Sequence, residues 1–196
     1  RVSPDGRSVV YQAMGKLWLK ALPDGEPRRL TRQNEHFEMD PTWSRDGRSI
    51  AYVTWDDDQL GAIRLVGSRG GNGRVVTPSK GHYRQPDFAP DGRSIVYRKA
   101  TGGWLRTPLW STDPGIYRLN LKTKQVSRLL KSGSQPHFGA DDETLFYTQG
   151  GASLSLMALD IESRRTHTVA TSKMGANFRV SPDGSMLAVI EEHNVH

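Results

Sequence analysis

Ser44-Arg45-Asp46-Gly47-Arg48-Ser49, running into Ile50-Ala51-Tyr52-Val53, decides how this chain folds. The same signature stands at Ser3-Pro4-Asp5-Gly6-Arg7-Ser8, at Ala89-Pro90-Asp91-Gly92-Arg93-Ser94 and at Ser181-Pro182-Asp183-Gly184-Ser185. A degraded copy, Gly139-Ala140-Asp141-Asp142-Glu143-Thr144, fills the gap. Proline presets φ for the first central position of a type I turn, aspartate suits the next, and glycine accepts the positive φ that follows. Such a turn closes a bulged hairpin. Trp43, Phe88 and Phe138 precede three of the turns. Alternating runs follow them: Ser94-Ile95-Val96-Tyr97, Thr144-Leu145-Phe146-Tyr147 and Met186-Leu187-Ala188-Val189. Each is expected to be a half-buried strand.

The copies are evenly spaced. Gly6 to Gly47 is 41 residues, Gly47 to Gly92 is 45, Gly92 to Asp142 is 50 and Asp142 to Gly184 is 42. A period of about 40–50 residues with strand content signals propeller blades. Each unit offers a third strand, such as Lys16-Leu17-Trp18-Leu19, and a more polar fourth, such as Ser127-Arg128-Leu129. No segment carries a sustained helical period, so the expected class is all-β. Blade limits fall near 1–35, 36–80, 81–131, 132–173 and 174–196. Arg1-Val2-Ser3 matches Arg179-Val180-Ser181, the first strand of a blade. Val195 stands as far from Gly184 as Leu17 from Gly6, so the chain is expected to stop inside a third strand. About four to five four-stranded blades are therefore expected, as a fragment of a six- or seven-bladed propeller. Open blade edges would permit self-association.

The 196 residues carry 27 Lys and Arg against 21 Asp and Glu, a net charge of +6. Many basic residues stand singly after turns, as do Arg7, Arg48 and Arg93, and none form a run that would bind nucleic acid. No apolar run approaches the ~20 residues of a spanning helix. Without cysteine there is no disulfide framework, thiolate nucleophile or Cys-based zinc site. The stretch from Arg1 to Pro4 is turn chemistry rather than a secretory signal.

Catalytic signatures are missing. No Gly-x-Ser-x-Gly elbow, His-x-His pair or His-Glu-x-x-His occurs. His193 and His196 would point to opposite faces of a strand. Gly70-Gly71-Asn72-Gly73 lacks the Lys-Ser/Thr of a phosphate loop and reads as a hairpin tip. Three features remain. Thr42, Asp87, His137 and, by alignment, Asn177 stand at the start of each innermost strand, with Asp40, Gln85 and Gln135 just before. There they would line a central channel, either to bind a peptide end or ion or as a solvated wall. Asp56, Asp57 and Asp58 could hold a hard cation or form an exposed turn. Trp104 and Trp110, on the long insertion, form either a contact surface or a cover for their own blade.

The repeat resembles that of TolB-like propellers, P-x-[WF]-S-x-D-G-[RK]-x-I-[AV]-[FY]. Residues 41–52 and 86–97 carry it, the latter with Ala89 at the serine position, and residues 136–147 and 177–189 carry it more weakly. The resemblance implies a propeller of the kind found in TolB, in tricorn-type proteases, in prolyl-oligopeptidase-like peptidases and ahead of some bacterial amidohydrolases. Four stretches are most similar to the amidohydrolase-linked propellers: 52–61, 81–88, 110–117 and 136–141. That likeness implies a non-catalytic domain that gates or docks substrate for a downstream barrel. Zinc or another divalent metal would belong to the barrel, with no cofactor in this chain. TolB-type binding of envelope proteins or peptides, and the propeller of a serine peptidase, are the alternatives. Each implies a periplasmic or secreted location.

Overall fold

The computed structural model describes residues 1–100, 113–150, 153–173 and 176–191. Trp104, Trp110, His193 and His196 lie outside them. The described residues form strands and turns, with no helix. β1 (Ser8–Ala13), β2 (Lys16–Ala21) and β3 (Arg28–Arg29) make the first sheet. β4 (Phe37–Trp43), β5 (Ser49–Trp55), β6 (Ala62–Gly67) and β7 (Arg74–Val75) make the second. β8 (Tyr83–Phe88), β9 (Ser94–Lys99), β10 (Gly115–Asn120) and β11 (Val126–Leu130) follow. Then come β12 (Ser134–Phe138), β13 (Thr144–Gly150), β14 (Leu154–Asp160) and β15 (Thr166–Ser172). β16 (Ala176–Val180) pairs with β17 (Leu187–Glu191). Within each sheet the strands pair antiparallel in chain order.

The repeated turn is stitched by its own side chains. Ser44 Oγ donates to Asp46 Oδ1 at 2.6 Å, and the same oxygen accepts the Arg48 N–H at 3.0 Å. Ser49 N–H returns to Ser44 Oγ at 3.0 Å. Ser3 with Asp5 and Ser181 with Asp183 repeat the pattern. Gly47 and Gly92 both sit at φ +68°, the left-handed region that glycine enters without strain. In the degraded copy Asp141 Oδ1 alone caps the N–H groups of Glu143 and Thr144.

Burial differs from the expected half-buried strand. Ile50, Ala51, Tyr52 and Val53 are all within 1% of full burial. The reason is that a sheet stacks on both faces of this strand. Ile50 and Tyr52 pack with Val10, Leu17 and Leu30 of the first sheet. Ala51 and Val53 pack with Phe88, Ile95 and Tyr97 of the third. Val96, Ile116, Phe138 and Leu145 form the next core, and Leu156, Phe178 and Val180 the last. Each buried side chain of this size contributes roughly 1.5–3 kcal/mol. On β17, by contrast, Leu187, Val189 and Ile190 are exposed.

The glycine-rich segment does more than close a hairpin. Thr31 and Gly71 form a parallel bridge, and Gly71 N–H donates to Leu30 O at 3.0 Å. The loop from the second sheet thus covers the outer edge of the first, where a bare edge would invite other strands. Gln33 anchors it, accepting the Gly73 N–H at 3.0 Å. A Cβ at Gly73 would overlap the buried Tyr52 hydroxyl, so only glycine fits there.

Candidate functional site

The innermost strands β4, β8, β12 and β16 each begin at the same end of the molecule and converge. Between them lies a cavity of about 560 Å³, lined by Arg1, Asp40, Gln85, Gln135, Asn177 and Arg179 among others. Pro41, Pro86 and Pro136 supply apolar wall.

A backbone device shapes this wall. Asp40, Gln85 and Gln135 have φ of 51°, 54° and 51°, and each precedes a proline. Register against the neighbouring strand shifts at the same points, between Met39 and Thr42, Arg84 and Asp87, and Ser134 and His137. A left-handed residue other than glycine costs about 1–3 kcal/mol and persists only where surroundings enforce it. Here the bulge releases an N–H toward the preceding sheet. Gln85 N–H donates to Asp40 Oδ2 at 2.9 Å, and Gln135 N–H donates to Gln85 Oε1 at 2.9 Å. Gln135 Nε2 continues the ring by donating to Asn177 Oδ1. Arg84 Nε adds an ion pair to Asp40 Oδ2 at 2.8 Å.

A second ring lies beneath. Asp87, 5% exposed, accepts the Thr42 hydroxyl at 3.1 Å, the Phe138 N–H at 3.2 Å and Arg179 Nη2 at 2.8 Å. His137 is fully buried, and its Nε2 accepts the Val180 N–H at 3.1 Å. Its Nδ1 therefore carries the proton, donated to Gln135 O at 2.9 Å. Burial, with Arg179 nearby, pushes the imidazole down to about 4. Burial and Arg179 also hold the Arg1 guanidinium below its ordinary value. At the far end Arg45 reaches across from the second sheet to Phe138 O and Gly139 O of the fourth.

The proposed channel residues are thus brought together, with one correction of register. Arg179, not Asn177, stands level with Thr42, Asp87 and His137. The pairs Arg179–Ala188, Thr42–Ala51, Asp87–Val96 and His137–Phe146 fix that level. Asn177 belongs to the upper ring with Gln135. The sequence carried the signal: Val180 replaces the repeat aromatic, and Arg179 precedes it. Glu38 was also missed. Fully buried, it joins the first two sheets by accepting the Leu17 N–H at 2.9 Å and the Thr31 hydroxyl at 2.7 Å.

The acidic triplet forms a turn. Asp56 Oδ1 accepts the N–H groups of Asp58 and Gln59, and Asp57 accepts the Trp55 indole at 2.8 Å. Among the described residues no three of His, Asp and Glu gather as a metal site.

Antiparallel sheets stacked face to face, with their first strands around a shared polar cavity, define a β-propeller. The chain belongs to the TolB β-propeller family, whose domain model matches residues 1–195. It is 30% identical over 125 residues to the Tol-Pal system protein TolB of Francisella tularensis subsp. holarctica, covering 62% of this chain and 27% of that protein. It is 30% identical over 110 residues to the uncharacterized peptidase YuxL of Bacillus subtilis, covering 51% and 17%. The chain thus spans about a quarter, or less, of the length of these relatives. The solved structure of a putative TolB from Agrobacterium tumefaciens superposes with a TM-score of 0.81 at 19% identity, over 98% of this chain and 68% of that one. No helix of the described residues is long and apolar enough to cross a membrane.

Proposed function

We propose that the chain is a binding module that docks a peptide or protein segment at the mouth of its central cavity. The observation that carries this reading is the wall itself, with Asp40, Gln85, Asn177, Arg1 and Arg179 around apolar prolines. Such a lining offers a bound backbone both donors and acceptors, and offers its side chains apolar contact. The kinship with a Tol-Pal system protein supports an envelope protein as the partner and the periplasm as the place.

A second reading makes the same cavity an entry to a hydrolase attached to the propeller. Its first form is a metal-dependent amidohydrolase, of the kind that follows the propellers residues 52–61 and 136–141 resemble. Its other form is a serine peptidase, favoured by the kinship with a protein named a peptidase. The continuation of the reading frame separates the two forms.

A displayed random-peptide library tests the module itself. Enriched peptides are expected to lose at least about tenfold in affinity on Asn177→Trp, which fills the mouth from an exposed position; that is about 1.4 kcal/mol. Failure to enrich any peptide, or binding that ignores the substitution, would refute the proposal.

A further inference from the structure

His137 sits where the fourth sheet meets the fifth, and its bonding is asymmetric. Nδ1–H donates within its own strand to Gln135 O, while Nε2 accepts the Val180 N–H from β16. A second proton on this ring has one place to go, Nε2, and it would set two donors against each other.

We infer that His137 is a proton-operated latch, holding the β16–β17 sheet while neutral and releasing it when protonated. Burial and nearby positive charge outweigh what the Gln135 carbonyl and Asp87 offer an imidazolium. Phe146 of β13 stacks on the ring with centroids 5.8 Å apart. Arg179 of β16 and Arg1 present positive charge. Asp87 of β8 is the one facing carboxylate among these groups, and its oxygens already hold Thr42, Phe138 and Arg179. Besides the His137–Val180 bond, the β16–β17 sheet is held by the Arg179–Asp87 ion pair, the Gln135–Asn177 hydrogen bond and a small apolar core. That core contains three buried apolar residues, Leu156, Phe178 and Val180. Release would widen the cavity on the side that Asn177 and Arg179 line. The latch acts whatever the cavity binds.

The sign follows from the lowered pKa. Above the ordinary histidine value near 6.5, closed and open states are both neutral and the latch holds fully. As pH falls toward about 4, the open state takes up the proton first and the latch weakens. Hydrogen exchange at the Val180 amide reads this directly, after correction for the intrinsic pH dependence of exchange. Its protection is expected to fall roughly fifty- to a hundredfold between pH 7 and pH 4.5, following the shift in pKa. The amides of Ile95 and Val96 in β9 should hold. His137→Gln offers the same acceptor and donor without a titration, so its Val180 protection should stay flat. Equal loss of protection in His137→Gln, or none in the parent, would overturn the latch. Nitrogen NMR of the parent imidazole keeps the test independent of that variant. A neutral ring protonated at Nε2, or a titration midpoint at or above about 6.5, would overturn it as well.

Discussion

Asp87→Ala is expected to destabilise the fold by about 3 kcal/mol, because three donors lose one acceptor together. The Phe138 N–H and the Thr42 hydroxyl would be left in a buried place without a partner. Arg179 suffers less, since its side chain is 38% exposed and can rehydrate, which keeps the figure at the low end for a broken pair. For a domain of this size the loss corresponds to a fall in Tm of roughly 6–12 °C. Arg179→Ala added to Asp87→Ala should then cost little more, as the pair is already gone. Thermal unfolding of the four proteins of the cycle measures this. A shift below about 1 kcal/mol for Asp87→Ala would mean that water serves these donors as well as the carboxylate does.

Tyr52→Ala is expected to cost about 3–5 kcal/mol, the range for removing a large buried ring. The ring is fully buried between the first two sheets, packed with Leu17, Leu30 and Ile50, and Gly73 lies against its hydroxyl. Tyr52→Phe separates packing from hydrogen bonding. The hydroxyl meets Gln33 Oε1 at 3.4 Å, a long bond, so its loss should cost under about 1 kcal/mol. Burial also lifts the phenol above its ordinary pKa, so it stays protonated through the neutral range. Urea unfolding of both variants decides the matter. Equal costs would show that the hydroxyl, not the ring, joins the sheets.

The repeat was legible because its chemistry is local. Asp46, Gly47 and Ser49 build the turn within six residues of Ser44, so the composition of that stretch is its geometry. The strands were legible in place but not in depth. Alternation suggested one wet face for the run from Ile50 to Val53, whereas a neighbouring sheet covers each side. Such stacking joins residues about one repeat apart, which no local period records. The same limit applies to the cavity. Asp87 meets Thr42 from 45 residues away and Arg179 from 92. The identities at these positions vary from copy to copy, since each side chain answers a different neighbour. Asp40, Gln85 and Gln135 were found as polar residues before a proline. Their left-handed backbone was not, because that conformation is unfavourable for them and is enforced by the sheets they join.

The central claim is that the cavity's polar side chains are, first, the joints between blades, with binding at the mouth built upon them. A high-resolution crystal structure of the chain tests it most directly. The account predicts Asp40 on the Gln85 N–H, Gln85 on the Gln135 N–H, Asp87 on the Phe138 N–H and His137 on the Val180 N–H, each within about 3.2 Å. Side chains turned into a water-filled channel, with those four N–H groups bonded to water, would contradict it.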